Sequence, residues 1–384
     1  MIDINYYHKH VFLAHSNCKF ICNLLINLIN KNVIDKSSIL LVVYGEISTH
    51  SPIRKTCLIE DLELIEWTEL KGKELSFLTL NSLSLQYMTA EIIVNCIDLG
   101  YVETSKVSIL ITDDEIDRWH NSYALNGNLK ISNVSITNQN VLNVLNIIDN
   151  YIVPYNPLGK RLEEILGRKL NIIDAVLPFT ILNYDTQSDL EKFVSKKDKI
   201  KNENEYKVLV YTKPWSQNTS LKWFLTILLD LIRNKDYCLN KKITLSVWFN
   251  FNLRGLLLFK TLIFITKIKK IPITLDFKKS LSADQYFLML HDHDCLILQG
   301  RGGFSTAKYF AEKIGKVITL TDSFNYLSFK SDYNIDIDNA INMENALKTA
   351  LKCEDHKNFN KFSSLIAQRN NESLAVLREH WDNP

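Results

Sequence analysis

The chain alternates between short apolar runs of strand length and longer segments with helical periodicity, and this alternation is its most constraining feature. Helical segments such as 17–30 repeat apolar residues every three or four positions, whereas the intervening runs are apolar throughout. A strand that is apolar along its whole length is buried on both faces, as in a parallel sheet covered by helices. The pattern therefore predicts an α/β fold with doubly wound sheets. The strand-like runs are 10–14, 39–44, 107–112, 208–211, 243–249, 295–299 and 316–320.

A polar stretch at 183–206 interrupts this alternation and divides the chain into two halves. Its sequence, NYDTQSDLEKFVSKKDKIKNENEY, is charged and has almost no apolar period, which is typical of a linker. The length of 384 residues suits two domains. We expect domains at 1–182 and 207–354, followed by a long helical segment within 355–384. Open parallel sheets bind ligands beyond the carboxyl ends of their strands, so two sheets facing a cleft would hold two ligands against each other.

Charge and cysteine usage exclude several classes of protein. The chain has 45 Lys and Arg against 43 Asp and Glu, and this near balance argues against a nucleic-acid partner. Its seven cysteines are scattered and form no Cys-x-x-Cys pair, which favours a reducing cytoplasm over a disulfide framework. The first 17 residues lack the basic and apolar regions of a secretory signal. We therefore expect a cytoplasmic protein.

The most apolar segment, GLLLFKTLIFITKI at 255–268, allows two interpretations. It is shorter than the ~20 residues that span a bilayer, so a core helix is the simpler one. The alternative is a helix that makes peripheral contact with the inner face of the cell membrane through 255–270. The lysines that would suit such a helix are Lys260, Lys267, Lys269 and Lys270.

A cluster of glycines points to a phosphate site. The chain has only 11 glycines, yet three of them fall within 300–303, between a strand-like run and a helical segment. Glycine lets a backbone turn sharply and approach a ligand, and a helix N-terminus offers free N–H groups to phosphate. The alternative is a tight turn with an ordinary Ser or Thr cap. The residues that we expect to bind phosphate are Arg301, Gly302, Gly303, Ser305 and Thr306.

The loop after the run 208–211 is a second phosphate candidate. Its sequence, TKPWSQNT at 212–219, stands between a strand-like run and a helical segment, at the same edge of the predicted sheet as the glycine cluster. Lys213 could pair with a diphosphate, and Asn218 could bind the same ligand. Capping of the following helix by Asn218 or Thr219 is the equally simple alternative.

Acid–base candidates occur in the first half. The run 11–14 leads into His15 and a helical segment, with Ser16 or Asn17 as the expected N-cap. His15 would stand at the carboxyl end of a strand, where a histidine can act as a general base, although a lone histidine is also a common structural residue. The run 107–112 is followed by DDEID. Its Asp113 and Asp114 could supply a carboxylate base or favour the start of a helix, and the spacing does not indicate a metal site.

The segment 281–326 resembles the donor side of bacterial GT-B glycosyltransferases that assemble surface polysaccharides. In that family a helix, an apolar strand, a small-residue turn and a helix ending in Gly-[Lys/Pro]-Val recur, as at 315–317 here. The likeness extends loosely to the TDP-N-acetylfucosamine:lipid-linked-sugar transferases. It implies two Rossmann-like domains facing a cleft, with a nucleotide-diphospho-sugar donor on the second and a glycan or lipid-linked acceptor on the first. It also implies a C-terminal helix that returns to the first domain.

The resemblance further implies roles for individual residues. It puts the loop with Asp322 and Tyr326 near the base or ribose of the donor, and it implies no obligatory metal, because helix dipoles and basic side chains neutralise the diphosphate. Many retaining members carry Glu five residues before the motif glycine, where this chain has Phe310. This difference favours an inverting transfer, with a base from the first half. The alternatives are a nucleotide-sugar epimerase and a non-catalytic partner subunit of a polysaccharide assembly complex.

Overall fold

A computed structural model shows two compact units, 1–179 with 368–384, and 180–367. Each unit is built on its own parallel sheet. The residues that the structure describes are 9–47, 51, 53, 61–71, 73–111, 113–133, 135–179, 189–192, 205–211, 242–248, 253–268, 273–278, 281–298, 303–352 and 359–383.

The first unit carries seven strands that pair in parallel, with six helices among its described residues. The strands are β1 (Lys9–His15), β2 (Ile39–Tyr44), β3 (Glu63–Glu66), β4 (Phe77–Ser82), β5 (Val107–Leu110), β6 (Asn150–Val153) and β7 (Asn171–Asp174). The helices are α1 (Lys19–Asn30), α2 (Trp67–Leu70), α3 (Tyr87–Asp98), α4 (Asp113–Asn126), α5 (Gln139–Ile147) and α6 (Asn156–Leu166). The order across the sheet is β3-β2-β1-β4-β5-β6-β7.

The second unit carries six described strands, which also pair in parallel. These strands are β8 (Glu205–Tyr211), β9 (Lys242–Trp248), β10 (Ile273–Lys278), β11 (Cys295–Leu298), β12 (Lys316–Leu320) and β13 (Asp338–Ala340). The helices are α7 (Leu253–Ile268), α8 (Ala283–His291), α9 (Phe304–Lys313), α10 (Phe324–Ser331), α11 (Met343–Ala350) and the C-terminal α12 (Phe359–Asp382). The order across the sheet is β10-β9-β8-β11-β12-β13.

The sequence prediction of an α/β fold with doubly wound parallel sheets is confirmed. Strands β2, β5 and β11 are buried along nearly their whole length, because helices cover both faces of each sheet. The linker was expected to continue to residue 206, but β8 begins at Glu205, where the buried ring of Tyr206 and pairing with β9 extend the strand.

The C-terminal half of α12 is part of the first unit. Leu377 and Trp381 are buried in the core formed with β1 and α1, and the Trp381 ring lies 5.8 Å from that of Phe12. Two hydrogen bonds also join α12 to the first unit. The Trp381 Nε1–H donates to Asn81 Oδ1 at 3.1 Å, and the Val176 N–H donates to Ser373 Oγ at 3.0 Å. The implied C-terminal helix that returns to the first domain is therefore present.

Two histidines lie where the end of α12 meets the sheet. His10 Nδ1 is 3.0 Å from Thr79 Oγ1, and His380 Nε2 is 3.0 Å from Ser108 Oγ. Burial, and then the proximity of His380, lower the pKa of His10 to about 4, with Asp382 acting in the opposite direction. Burial also lowers the pKa of His380. Both rings are therefore neutral at pH 7 in the folded chain.

We expect the first unit to lose stability as the pH falls from about 6.5 to about 4. The unfolded chain binds protons at the ordinary histidine pKa of about 6.5, whereas folded His10 resists protonation until about pH 4, so acid favours the unfolded state. His10 alone should contribute a loss of about 3 kcal/mol at pH 4. Urea unfolding of the wild type and of His10→Gln at pH 7.5, 5.5 and 4.5 would measure it. Parallel pH profiles for the two proteins would contradict the prediction.

Candidate active site

Each sheet has a topological switch point, where connections from two neighbouring strands leave in opposite directions. In the first sheet this point lies between β1 and β4, and in the second it lies between β8 and β11. Ligands of open α/β sheets bind in the crevice beyond the carboxyl ends of the strands at such points. Two of the segments that the sequence singled out stand at these points: His15 is the last residue of β1, and the glycine cluster follows β11 in the sequence.

Helix α9 opens at the switch point of the second sheet without a side-chain cap. Its N-cap is Gly303, whose φ of +78° lies in the left-handed region, where a side chain would strain the backbone. The alternative of an ordinary Ser or Thr cap is therefore wrong. No acidic residue stands in the first turn of the helix. The positive end of the helix dipole at this turn therefore favours an anion.

Two hydroxyl side chains lie in the first turn of α9. Ser305 is exposed. Thr306 is half-buried, and its Oγ1 accepts a hydrogen bond of 3.2 Å from the Tyr286 hydroxyl of α8. Because Thr306 accepts in this contact, its own proton remains available for donation to a ligand oxygen. Tyr286 was not a candidate from the sequence, since only the fold brings α8 beside the start of α9.

The remaining donor-side candidates have separate positions. Asp322 is exposed immediately before Ser323, whose Oγ accepts from the Tyr326 N–H at 3.1 Å and so caps α10. The Tyr326 ring is half-buried, and Lys330 Nζ lies 5.6 Å from its centroid. Both candidates belong to the loop and helix that follow β12. Outside the described residues are Lys213, Asn218, Arg301 and Gly302.

His15 is the last residue of β1 and its side chain is exposed. The Asn17 N–H donates to His15 Nδ1 at 3.1 Å. The expected Ser16 or Asn17 cap is wrong, because α1 begins at Lys19 with Cys18 as an N-cap that makes no side-chain hydrogen bond. A backbone bond explains the difference: the Ser16 N–H donates to the Tyr44 carbonyl at 3.0 Å, which keeps Ser16 beside the sheet.

The hydrogen bond at Nδ1 decides what His15 can do chemically. In a neutral imidazole, an Nδ1 atom that accepts a hydrogen bond carries no proton, so the ring proton is on Nε2. Nε2 then donates and cannot accept a proton until the Nδ1 contact breaks. Gly45 leaves room for this atom, because a Cβ at that position would lie 2.9 Å from His15 Nε2. The geometry suits a hydrogen-bond donor better than the general base expected from the sequence.

Asp113 and Asp114 begin α4, as expected for acidic residues at a helix start. Strand β5 precedes α4 and is separated from β1 by β4 alone, so His15 and the start of α4 share a sheet edge at a strand spacing of about 10 Å. The orientation of the two carboxylates lies outside the described side chains. Their neighbour Glu115 is structural, since its Oε1 accepts from the Leu85 N–H at 2.7 Å.

Among the described residues, no group of three or more His, Cys, Asp or Glu side chains has the arrangement of a metal site. Within the same part of the chain, no helix is long and apolar enough to cross a bilayer.

No protein-family model and no curated protein sequence matches the chain. Solved structures do match over nearly its whole length. HepE of Anabaena, solved in complex with UDP and glucose, superposes with a TM-score of 0.57 at 8% identity over 97% of this chain and 98% of HepE. A glycosyltransferase of Rickettsia africae gives 0.53 at 13% identity over 98% and 100%. A UDP-forming trehalose-phosphate synthase of Burkholderia vietnamiensis gives 0.55 at 8% identity over 97% and 95%.

These likenesses define the class of fold. The two parallel sheets with their helices and the C-terminal helix match the GT-B glycosyltransferase fold. At identities of 8–13%, the likeness establishes the fold alone.

Proposed function

We propose that the protein is a glycosyltransferase that moves a sugar from a nucleotide-diphospho-sugar to a glycan or lipid-linked acceptor in surface-polysaccharide assembly. The start of α9 at the switch point of the second sheet, with Gly303 as its N-cap and no acidic residue in its first turn, is the observation that carries the proposal. A diphosphate suits a helix N-terminus that follows a glycine turn at the edge of a parallel sheet. The binding of UDP by HepE, which shares the fold, adds to this argument.

In this proposal the second unit binds the donor. Gly302, Gly303, Ser305 and Thr306 hold the diphosphate, while Lys213, Asn218 and Arg301 support it. Asp322 and Tyr326 lie against the base or ribose. The positive end of α9 and the basic side chains stabilise the leaving diphosphate, so no metal is obligatory. We expect activity to persist in EDTA at no less than about half its original rate.

The first unit binds the acceptor and supplies its activation. A carboxylate of Asp113 or Asp114 takes the proton of the acceptor hydroxyl. The hydroxyl oxygen of the acceptor then forms a bond to the anomeric carbon of the donor sugar, while the bond from that carbon to the diphosphate breaks. His15 donates its Nε2–H to an oxygen of the acceptor and fixes its orientation. The proposed transfer is inverting, since Phe310 stands at the position where many retaining members of the resembled family carry Glu. Nearby Glu312 pairs with Lys313 at 3.1 Å.

Acceptor-dependent release of nucleotide tests the function. The full chain would be incubated with UDP-, TDP- and GDP-sugars, with and without a solvent extract of bacterial membranes as the acceptor probe. A transferase releases nucleoside diphosphate, with rates that rise at least about tenfold when the extract is present. An altered sugar without acceptor would instead indicate an epimerase. No turnover of any donor, together with stable co-purification of a second transferase, would indicate the partner subunit.

A further inference from the structure

Helix α7 in the second unit exposes apolar side chains that the proposed chemistry does not use. Leu257, Phe264 and Ile268 are 61%, 63% and 60% exposed. Burying a side chain of this size removes a substantial apolar surface from water. The opposite side of the helix carries the contacts with the core: Ile263 packs against the apolar cluster of the second sheet, and Thr266 is buried.

The three exposed side chains form one stripe along the helix. At 100° per residue, positions 257, 264 and 268 lie within about 40° of one another, and the stripe extends over about 17 Å. In the sequence of α7 the apolar positions do not follow a single helical face, a pattern typical of a helix that is covered on all sides. The exposed stripe of Leu257, Phe264 and Ile268 therefore requires an apolar partner.

Charge indicates which partner that is. Exposed Lys260 and Lys267 lie beside the stripe, on one edge of the same helical surface. The helix sequence LRGLLLFKTLIFITKI contains no Asp or Glu, and two more lysines follow it directly. An apolar stripe with cations along one edge and no acidic residue in its helix complements a surface that is apolar inside and anionic outside. Lysine side chains can extend their ammonium groups to lipid phosphates while a neighbouring stripe enters the acyl boundary.

We propose that α7 docks the protein on an anionic lipid bilayer, with the stripe inserted below the headgroups and Lys260 and Lys267 against them. Helix α7 is about 24 Å long, so it can lie along the surface of a membrane without crossing it. The alternative occupants are a second copy of the chain and an apolar protein partner. The docking is independent of the nucleotide site, so either proposal can fail alone.

Vesicle sedimentation of the full chain tests the docking. Wild type should bind phosphatidylcholine vesicles that contain phosphatidylglycerol at least about tenfold more tightly than pure phosphatidylcholine. Phe264→Ser with Ile268→Ser, and separately Lys260→Glu with Lys267→Glu, should each lower binding to anionic vesicles at least about tenfold. The matched apolar control is Leu125→Ser with Ile341→Ser, at sites that are 85% and 82% exposed. The matched charge control is Lys130→Glu with Lys352→Glu, both exposed.

Equal binding by the stripe variants and the controls would overturn the proposal, as would no binding of wild type to anionic vesicles. A dimer in analytical ultracentrifugation that dissociates in Phe264→Ser with Ile268→Ser, without vesicle binding, would assign the stripe to a second copy. Far-ultraviolet circular dichroism and urea unfolding of the same variants show whether they remain folded. Retained nucleotide affinity with lost vesicle binding separates docking from donor binding.

Discussion

Replacing Trp381 with alanine should lower the free energy of unfolding of the first unit by about 4–8 kcal/mol. The side chain is among the largest that are fully buried, and it packs on Phe12 within the core that α12 shares with α1 and β1. Removing a buried tryptophan costs about 3–5 kcal/mol, and the loss of its Nε1–H leaves the buried Asn81 oxygen unpaired at a further cost of about 1–3 kcal/mol. Urea unfolding followed by far-ultraviolet circular dichroism would measure the change.

Two control substitutions separate the causes of that loss. Trp381→Phe keeps an aromatic ring beside Phe12 but removes the donor to Asn81, so it should cost about 1–3 kcal/mol. Val376→Ala, at a partly exposed position of the same helix, should cost less than about 1 kcal/mol. A loss below about 1 kcal/mol for Trp381→Ala would show that α12 does not hold the first unit together.

Replacing His15 with alanine should reduce kcat for sugar transfer by two to three orders of magnitude, roughly the effect of losing one hydrogen-bond donor at a reacting centre. KM for the donor should change little, because the proposed donor site is in the second unit. His120→Ala is the matched control: His120 is half-buried on α4 of the same unit and has no proposed role, so kcat should stay within about twofold.

His15→Gln distinguishes a donor from a base. A glutamine amide can donate to the same oxygen, so the variant should retain activity within about tenfold of wild type and keep the acid limb of its pH–rate profile. A general base would behave differently. In that case glutamine would be as inactive as alanine and the acid limb would disappear, because an amide does not titrate.

The sequence predicts the α/β class well because strands that are buried on both faces have continuous apolar sequences. The apolar run 316–320 coincides with β12, which is buried along nearly its whole length and stands between α9 and α10 in the sequence. The order of strands is a different matter. It is fixed by pairing between distant segments, such as Val11 with Leu80, and no local pattern encodes it. The switch points, and with them the significance of two loops, therefore appear only in the structure.

The candidate site shows the same division between local and long-range information. The glycine cluster was apparent because glycine is scarce and a helical pattern follows it, and Gly303 indeed adopts a positive φ. The cap of α1 was wrong, since the bond from the Ser16 N–H to Tyr44 depends on the neighbouring strand. Tyr286 and Gly45 were missed because each gains its role from a residue distant in sequence, Thr306 and His15 respectively.

Calorimetric titration of the full chain with a panel of UDP-, TDP- and GDP-sugars tests the central claim most directly, which is that the second unit binds a nucleotide-diphospho-sugar at the start of α9. We predict that one of them binds and that Ser305→Ala with Thr306→Ala weakens it about tenfold through the loss of hydroxyl donors. Ser331→Ala, at the exposed far end of α10, and His15→Ala should leave the affinity unchanged. Absence of binding by every nucleotide-sugar, or equal affinity in the Ser305→Ala and Thr306→Ala variant, would contradict the account.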